Sequence, residues 1–229
     1  MAKAQLMILI PAYNEQTMIG SVLRSLPKKM KGIKKITKVV VDDGSIDKTA
    51  LVAIRHKATV LQHIINRGLG GALGTGFQFA REIKADIIVT IDADGQHKGS
   101  DIVRLVQPIL QKKADVVIGS RLISKSSMPF IRKTVNRISN VITWFFFGVR
   151  TSDSQSGFRA FSKKALQHID IRTQRMEVSS ELFREIQRLN LRKYEVPIEA
   201  VYTSYSLGKG QPLTNASNIL TKLIIRLVR

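Results

Sequence analysis

The chain has 229 residues, enough for one substantial core, and an apolar share of 44% excludes a disordered polypeptide. It contains no cysteine, which removes disulfides, thiolate metal sites and a cysteine nucleophile together. Lys and Arg number 37 against 17 Asp and Glu, and a net charge of +20 points to an anionic partner: nucleic acid, lipid headgroups or phosphorylated small molecules.

Met1 to Ile10 lacks a signal-peptide pattern and runs straight into fold-like sequence. From there short β-rich runs alternate with helical stretches. The strands expected are Gln5–Pro11, Thr37–Asp42, Thr59–Ile64, Asp86–Asp92 and Asp115–Ser120. Between them lie helices near Thr17–Leu26, Asp47–Lys57, Leu69–Lys84 and Ser100–Lys112. Continuous apolar strands such as Val39-Val40-Val41 and Ile87-Ile88-Val89 suit a parallel sheet covered on both faces. The alternation predicts an α/β domain: an open, mainly parallel twisted sheet, Rossmann-like, with helices on both faces. Farther along, Arg132–Phe147 starts basic and ends in Trp144-Phe145-Phe146-Phe147. A polar loop, Thr151–Gly157, precedes Phe158-Arg159-Ala160-Phe161, and a helix at Val178–Leu191 leads into a strand at Lys193–Tyr202.

The last segment, Asn215–Arg229, plots as an amphipathic helix with Ile219, Leu220, Leu223, Ile224 and Leu227 on one face. At about 22 Å it is too short and too charged to span a bilayer core of about 30 Å. Two readings stand: a helix lying in a membrane interface, or one docked on its own domain or on a second subunit as a homodimer contact. The expected organisation is a catalytic domain over residues 1–210 followed by this helix over 211–229.

Three acidic motifs fall at or just past strand ends, where ligands bind in open α/β sheets: Glu15, Asp42-Asp43 and Asp92-Ala93-Asp94. Residues i and i+2 of an extended chain share a face, so Asp92 and Asp94 can address one ion, and Gly95 lets the chain turn away. Carboxylate oxygens suit Mg²⁺ or Mn²⁺. A calcium loop fails, since His97 stands where it needs Gly and Val103 where it needs Glu. Asp42-Asp43 is more than capping requires, and carboxylates there commonly accept from ribose hydroxyls or base N–H groups. The run Asn66-Arg67-Gly68-Leu69-Gly70-Gly71 is neither a dinucleotide fingerprint nor a P-loop. It allows either close approach of a phosphate or sugar at a helix N-terminus or tight packing of that helix on the sheet.

The order and spacing of Pro11-Ala12-Tyr13-Asn14-Glu15, Val41-Asp42-Asp43-Gly44-Ser45, Asn66-x-Gly-x-Gly-x-Ala and Asp92-Ala93-Asp94-Gly95-Gln96-His97 resemble those of inverting family-2 glycosyltransferases with the GT-A fold. Within them the chain looks most like dolichyl-phosphate mannose synthases and bacterial polyprenyl-phosphate relatives. Gly119-Ser120-Arg121 and Ser156-Gly157-Phe158-Arg159-Ala160 extend the likeness, which spans about residues 5 to 210.

The resemblance implies a metal-dependent transferase moving a sugar from a nucleotide sugar, GDP-mannose or a UDP-sugar, to a polyprenyl phosphate. It assigns the donor to Pro11, Ala12, Tyr13, Glu15, Asp42, Asp43, Asn66, Gly70 and Asp92. The metal, Mg²⁺ or Mn²⁺, falls to Asp92, Asp94 and Gln96. Arg121, Ser156, Arg159 and Lys209 would meet the acceptor phosphate, with Asp94, Arg121 and Arg159 at the reaction centre. A saccharide hydroxyl acceptor would need a base, and Asp153 is the candidate, with an ordinary turn residue as the other reading. The basic excess and Trp144–Phe147 suit an anionic membrane surface, with the aromatics as part of the core the other reading; the expected location is peripheral, on the cytoplasmic membrane face. Two other classes are weaker. A nucleic-acid-binding protein leaves the acidic strand ends unexplained, and a nucleotidyltransferase would release pyrophosphate rather than a nucleoside diphosphate.

Overall fold

The computed structural model describes residues 3–123 and 130–201. The terminal segment Asn215–Arg229 and Lys209 therefore lie outside the described residues. Seven strands form one sheet: β1 (Ala4–Ala12), β2 (Ile33–Asp42), β3 (Thr59–Gln62), β4 (Ile87–Thr90), β5 (Val116–Ser120), β6 (Arg159–Ser162) and β7 (Lys193–Pro197). Their order across the sheet is β3-β2-β1-β4-β6-β5-β7. All pairings are parallel except those of β6, which runs antiparallel to both β4 and β5.

The helices are α1 (Ile19–Ser25), α2 (Thr49–Arg55), α3 (Gly68–Glu82), α4 (Ile102–Leu110), α5 (Phe130–Phe147), α6 (Lys163–His168) and α7 (Val178–Arg188). Alternation along β1 feeds two cores. Leu6, Ile8 and Ile10 pack with α1, α2 and α4, whereas Met7 and Leu9 pack with α3, α6 and α7 on the opposite face. Two packed faces explain why the strands read as uninterrupted apolar runs.

The expected strands and helices appear with ends moved by a few residues, as helix fraying and strand pairing commonly allow. Neither α6 nor β6 has a counterpart among the expected elements; β6 is four residues long, and its Ala160 joins one core and Phe161 the other. The strand order reverses beside β1, between β2 and β4, and the carboxyl ends of those strands carry the acidic motifs.

The edge that carries the motifs is tied together by side-chain to backbone bonds. Asn14 N–H donates to Ser45 Oγ at 2.9 Å, Ile46 N–H to Asn14 Oδ1 at 3.0 Å and Glu15 N–H to Thr49 Oγ1 at 2.8 Å. These lock the β1–α1 turn to the β2–α2 turn, with Asn14 held at φ 53°. Asp47 Oδ1 accepts Thr49 N–H at 2.9 Å, which satisfies the first N–H of α2.

Asp43 performs the corresponding task for α3. Its Oδ1 accepts from Arg67 N–H at 2.9 Å and lies 2.7 Å from His63 Nδ1, and its Oδ2 accepts from Gly68 N–H at 2.7 Å. The expectation that Asp43 holds the donor thus meets a carboxylate already committed on both oxygens, because two helix-start N–H groups converge on it. Asp43→Ala is expected to destabilise the domain by about 2 kcal/mol or more. Thermal melting would register this as a fall of roughly 4 °C or more. A change of under about 1 °C would show that the cap contributes little.

Candidate active site

The parallel strands β1, β2, β4 and β5 deliver their carboxyl ends to one edge, and antiparallel β6 begins there. Tyr13 is half exposed at the rim, while Ala12 and Glu15 are buried behind it. Pro11, the next-to-last residue of β1, pairs with Val41. Asp42 is fully buried; its Oδ1 accepts from Ser45 N–H at 3.2 Å, and its Oδ2 has no partner. A buried carboxylate oxygen left unsatisfied costs on the order of 1–3 kcal/mol, so that atom would gain from a hydrogen-bond donor brought to it.

Gly70 is buried where the start of α3 meets residues 170–174, and it lines a pocket there. A side chain there would strike the Thr173 carbonyl, and Gly71 N–H donates to Gln174 O at 3.0 Å. The glycine run lets the start of α3 close against residues 173–174, the packing alternative, while Asn66 is exposed in the bend before it.

Asp92 follows β4 with its carboxylate against the backbone of Gly157, where any Cβ would collide with both oxygens. His97 Nε2 lies 3.2 Å from Asp92 Oδ2, and the imidazole stacks on Phe158 with ring centroids 4.9 Å apart. Asp94 Oδ1 accepts from Gln96 N–H at 2.9 Å, and Val201 N–H donates to Gln96 O across the same turn. Burial raises the Asp92 carboxyl. The His97 hydrogen bond and the His97, Arg121 and Arg159 charges outweigh it, so the net shift is downward. Asp94 is pushed up, by burial and by the Asp92 charge beside it.

Two carboxylates opposing each other in this way suit a hard cation. Among the described residues no group of three or more His, Asp or Glu forms a closed cage. A divalent ion that keeps positions for water and substrate phosphates needs only one or two protein carboxylates. Asp92, Asp94 and the Gln96 amide are the residues here that would hold it.

Across the cleft Arg121 lies just past β5, its side chain only 13% exposed. Its Nε and Nη2 each donate to Asp153 at 2.8 Å, and its backbone N–H adds a third bond at 3.0 Å. Asp153 also accepts from Asn136 Nδ2 of α5 at 2.7 Å and is fully buried. Burial lifts its carboxyl, but Arg121 and Asn136 outweigh this and hold it below the usual carboxylate range.

Arg159 is buried too. It donates to Ser156 O at 2.8 Å and Ser154 O at 2.9 Å, lies over the Phe183 ring, and is lowered to about 10 by burial. Ser156 has no exposed surface, and its hydroxyl accepts from Phe158 N–H at 3.3 Å. The resemblance put Arg159 and Ser156 on the acceptor phosphate; here both clamp the 154–158 loop from behind. Arg159 still contributes its charge to Asp92.

His97 and Asn136 were not singled out from the sequence as site residues. His97 sits inside the hexapeptide that carries the two aspartates, a signal within reach. Asn136 is a lone amide on a helix, and only folding shows what it meets.

The family model for glycosyl transferase family 2 matches residues 7–170. An uncharacterized protein of Methanocaldococcus jannaschii is 44% identical, covering 98% of this chain and 93% of that protein. The UDP-N-acetylglucosamine–dolichyl-phosphate N-acetylglucosaminyltransferase of Methanococcus voltae is 35% identical, covering 98% and 97%. Glucosyl-3-phosphoglycerate synthase of Mycobacterium tuberculosis, solved with Mn²⁺, UDP-glucose and phosphoglyceric acid, superposes with a TM-score of 0.75 at 20% identity. That match covers 98% of this chain and 79% of that one, and it bears on the fold alone. The motifs at the sheet edge, the matched family model and the GT-A architecture agree: this chain belongs to glycosyl transferase family 2 and is a glycosyltransferase.

Proposed function

We propose that the protein transfers a sugar from a nucleotide sugar to a polyprenyl phosphate at a membrane surface, inverting the anomeric carbon, with Mg²⁺ or Mn²⁺ bound. The observation that carries this reading is the pair Asp92 and Asp94 at one sheet edge, with the Arg121 charge acting on Asp92, in a domain whose α5 has an outward apolar face. UDP-N-acetylglucosamine is the donor placed first, because the Methanococcus voltae relative spans nearly the whole chain; GDP-mannose comes second.

The chain's own residues divide the work. Asp42 Oδ2 receives a donor hydrogen from the nucleotide, and Tyr13 offers a half-exposed ring at the rim. A bound divalent cation would neutralise charge developing on the leaving diphosphate. Arg121 contributes fixed positive charge at the same edge, held in one orientation by Asp153 rather than reorganising as charge develops.

Asp153 is fully buried and accepts from Arg121 and Asn136, so it serves as a counter-ion and is poorly placed to take a proton from a sugar hydroxyl. A lipid phosphate is already an anion and needs no such base, which favours it over a saccharide acceptor.

α5 supports the membrane part of the reading. Ile138, Val141, Trp144 and Phe145 are exposed at helical spacing, Phe145 by 77%, and the Arg150 guanidinium lies 5.1 Å from the Trp144 ring centroid. From its other side α5 reaches the site: Asn136 meets Asp153, and Asn140 bonds both Ser152 O and Ser154 N–H. Among the described residues no helix is long and apolar enough to cross a membrane.

A panel of nucleotide sugars, each with Mg²⁺ or Mn²⁺ and with polyprenyl phosphate or saccharide acceptors, tests the reading. Glycosyl lipid phosphate and a nucleoside diphosphate are the expected products. Transfer to saccharides alone would replace the acceptor.

Asp94→Asn is expected to lower kcat by about 100-fold or more. It should keep or raise metal-free melting, since it relieves repulsion against Asp92, and should abolish the Mn²⁺-induced rise in Tm. Full activity, or an unchanged Mn²⁺ response, would remove the metal assignment. Trp144→Ser with Phe145→Ser is expected to cut binding to anionic vesicles by about tenfold or more, since each ring loses roughly 1.5–3 kcal/mol of burial. Unchanged partitioning would detach α5 from the membrane.

A further inference from the structure

The net charge of +20 is not accounted for by the catalytic edge, where the described charges are largely paired. Much of the excess sits at the opposite edge, where the parallel strands begin. Lys3 precedes β1, Lys28, Lys29 and Lys31 lie between α1 and β2, and Lys34 and Lys35 open β2. The chain entering β4 and β5 at this edge adds Lys84, Lys112 and Lys113. The acids here, Asp86 and Asp115, are already taken, by Lys163 at 3.8 Å and by Arg192 at 3.0 Å.

The first six lysines line a groove of about 430 Å³ with Met30, Ile33 and Ile36 among its walls. Among the described residues none of the six has a carboxylate within ion-pair distance. Lys38, which donates to Leu23 O, is pushed down chiefly by burial, and the Lys28 charge adds to it. Crowding of like charge opposes folding and is relieved when an anion covers it.

We propose that this groove is a docking surface for an acidic polypeptide segment carrying apolar side chains. Three observations choose that occupant. Met30 and Ile36 pack on the core yet stay partly exposed in the groove, and offer burial that a purely ionic partner cannot use. The charge is lysine, without the planar guanidinium fork or aromatic platforms that hold phosphodiesters and bases. Finally, β1 has nine residues, so the groove stands about 26 Å from the catalytic edge at roughly 3.3 Å per residue. A bilayer presenting lipid phosphate to the active site would not reach it. This last step rests on the acceptor reading above; the charge and the apolar walls do not.

The test uses the full chain and a fluorescein-labelled peptide of Glu-Glu-Leu repeats at about 0.15 M salt. Comparison probes are the same peptide with Ser for Leu, single-stranded DNA of equal charge, and phosphatidylglycerol vesicles. The leucine peptide is expected to bind at least about tenfold more tightly than the serine peptide or the DNA. Lys29→Gln with Lys31→Gln and Lys34→Gln should weaken it about tenfold or more, with melting and sugar transfer unchanged.

Equal binding of the serine peptide or DNA would reduce the groove to unspecific charge and overturn the proposal, as would peptide binding indifferent to the three substitutions. Vesicle binding that these substitutions abolish, without peptide binding, would make the partner a lipid surface instead. Because every readout here is binding, absence of sugar transfer would sink the acceptor reading and leave this result standing.

Discussion

Asp92 occupies its place only because residue 157 has no side chain. Its two oxygens lie where a Cβ would be, so the turn after β4 and the loop before β6 are packed against each other through a carboxylate. Reversing β6 in an otherwise parallel sheet is what makes this contact available. Thr90 pairs with Arg159, and Thr90 Oγ1 donates to Gly157 O at 2.7 Å, so the start of β6 comes to the edge where β4 ends. A parallel β6 would begin at the far edge and take Ser156, Gly157 and Arg159 with it. From this one reversal follow the meeting of Asp92 with the Arg159 charge and the presence of Asp153 near Arg121.

The electrostatics of the edge are correspondingly uneven. Arg121 and Arg159 are both tied down, one by a carboxylate and one by two carbonyl oxygens. Their charges act on Asp92 without their side chains entering the cleft. Asp94, farther along the turn, receives less of that compensation and more of the repulsion from Asp92. Two aspartates separated by one alanine thus differ in how strongly they favour ionisation, and a cation shared between them would remove the difference. Interactions of this type gain weight where water is displaced, which is the condition a bound nucleotide would create.

Much of this was legible in the sequence. Continuous apolar strands followed by acidic pairs located β1, β2 and β4 and the edge they share, because strand burial and strand exits leave local patterns. What was not legible depended on contacts distant in sequence. Asp43 looks like a second nucleotide ligand until Arg67 and Gly68, more than twenty residues on, are seen to converge on it. Gly70 looks like a phosphate approach until Thr173 is found against it, a hundred residues away. Arg159 carries a motif-like position, yet its depth comes from the loop it holds. β6 escaped because four residues with both faces buried carry no period that separates strand from loop. Asp153 was weighed as base or turn residue, and its pairing with Arg121 and Asn136 is a third outcome that spacing alone does not encode.

A strongly basic protein with an acidic working edge raises a question of arrangement. Free ammonium groups beside Asp92 and Asp94 would occupy those carboxylates themselves and compete with any divalent ion for them. Among the described residues six lysines without a carboxylate partner lie instead where the strands begin, about 26 Å away along β1. At physiological salt the Debye length is about 8 Å, so their repulsion is largely screened before it reaches the carboxylates. At the working edge the guanidiniums of Arg121 and Arg159 have hydrogen bonds already made, so they add potential without adding a competing ligand. Keeping that lysine cluster a strand's length from Asp92 and Asp94 lets one small domain carry a large positive charge without the cluster pairing with those two carboxylates.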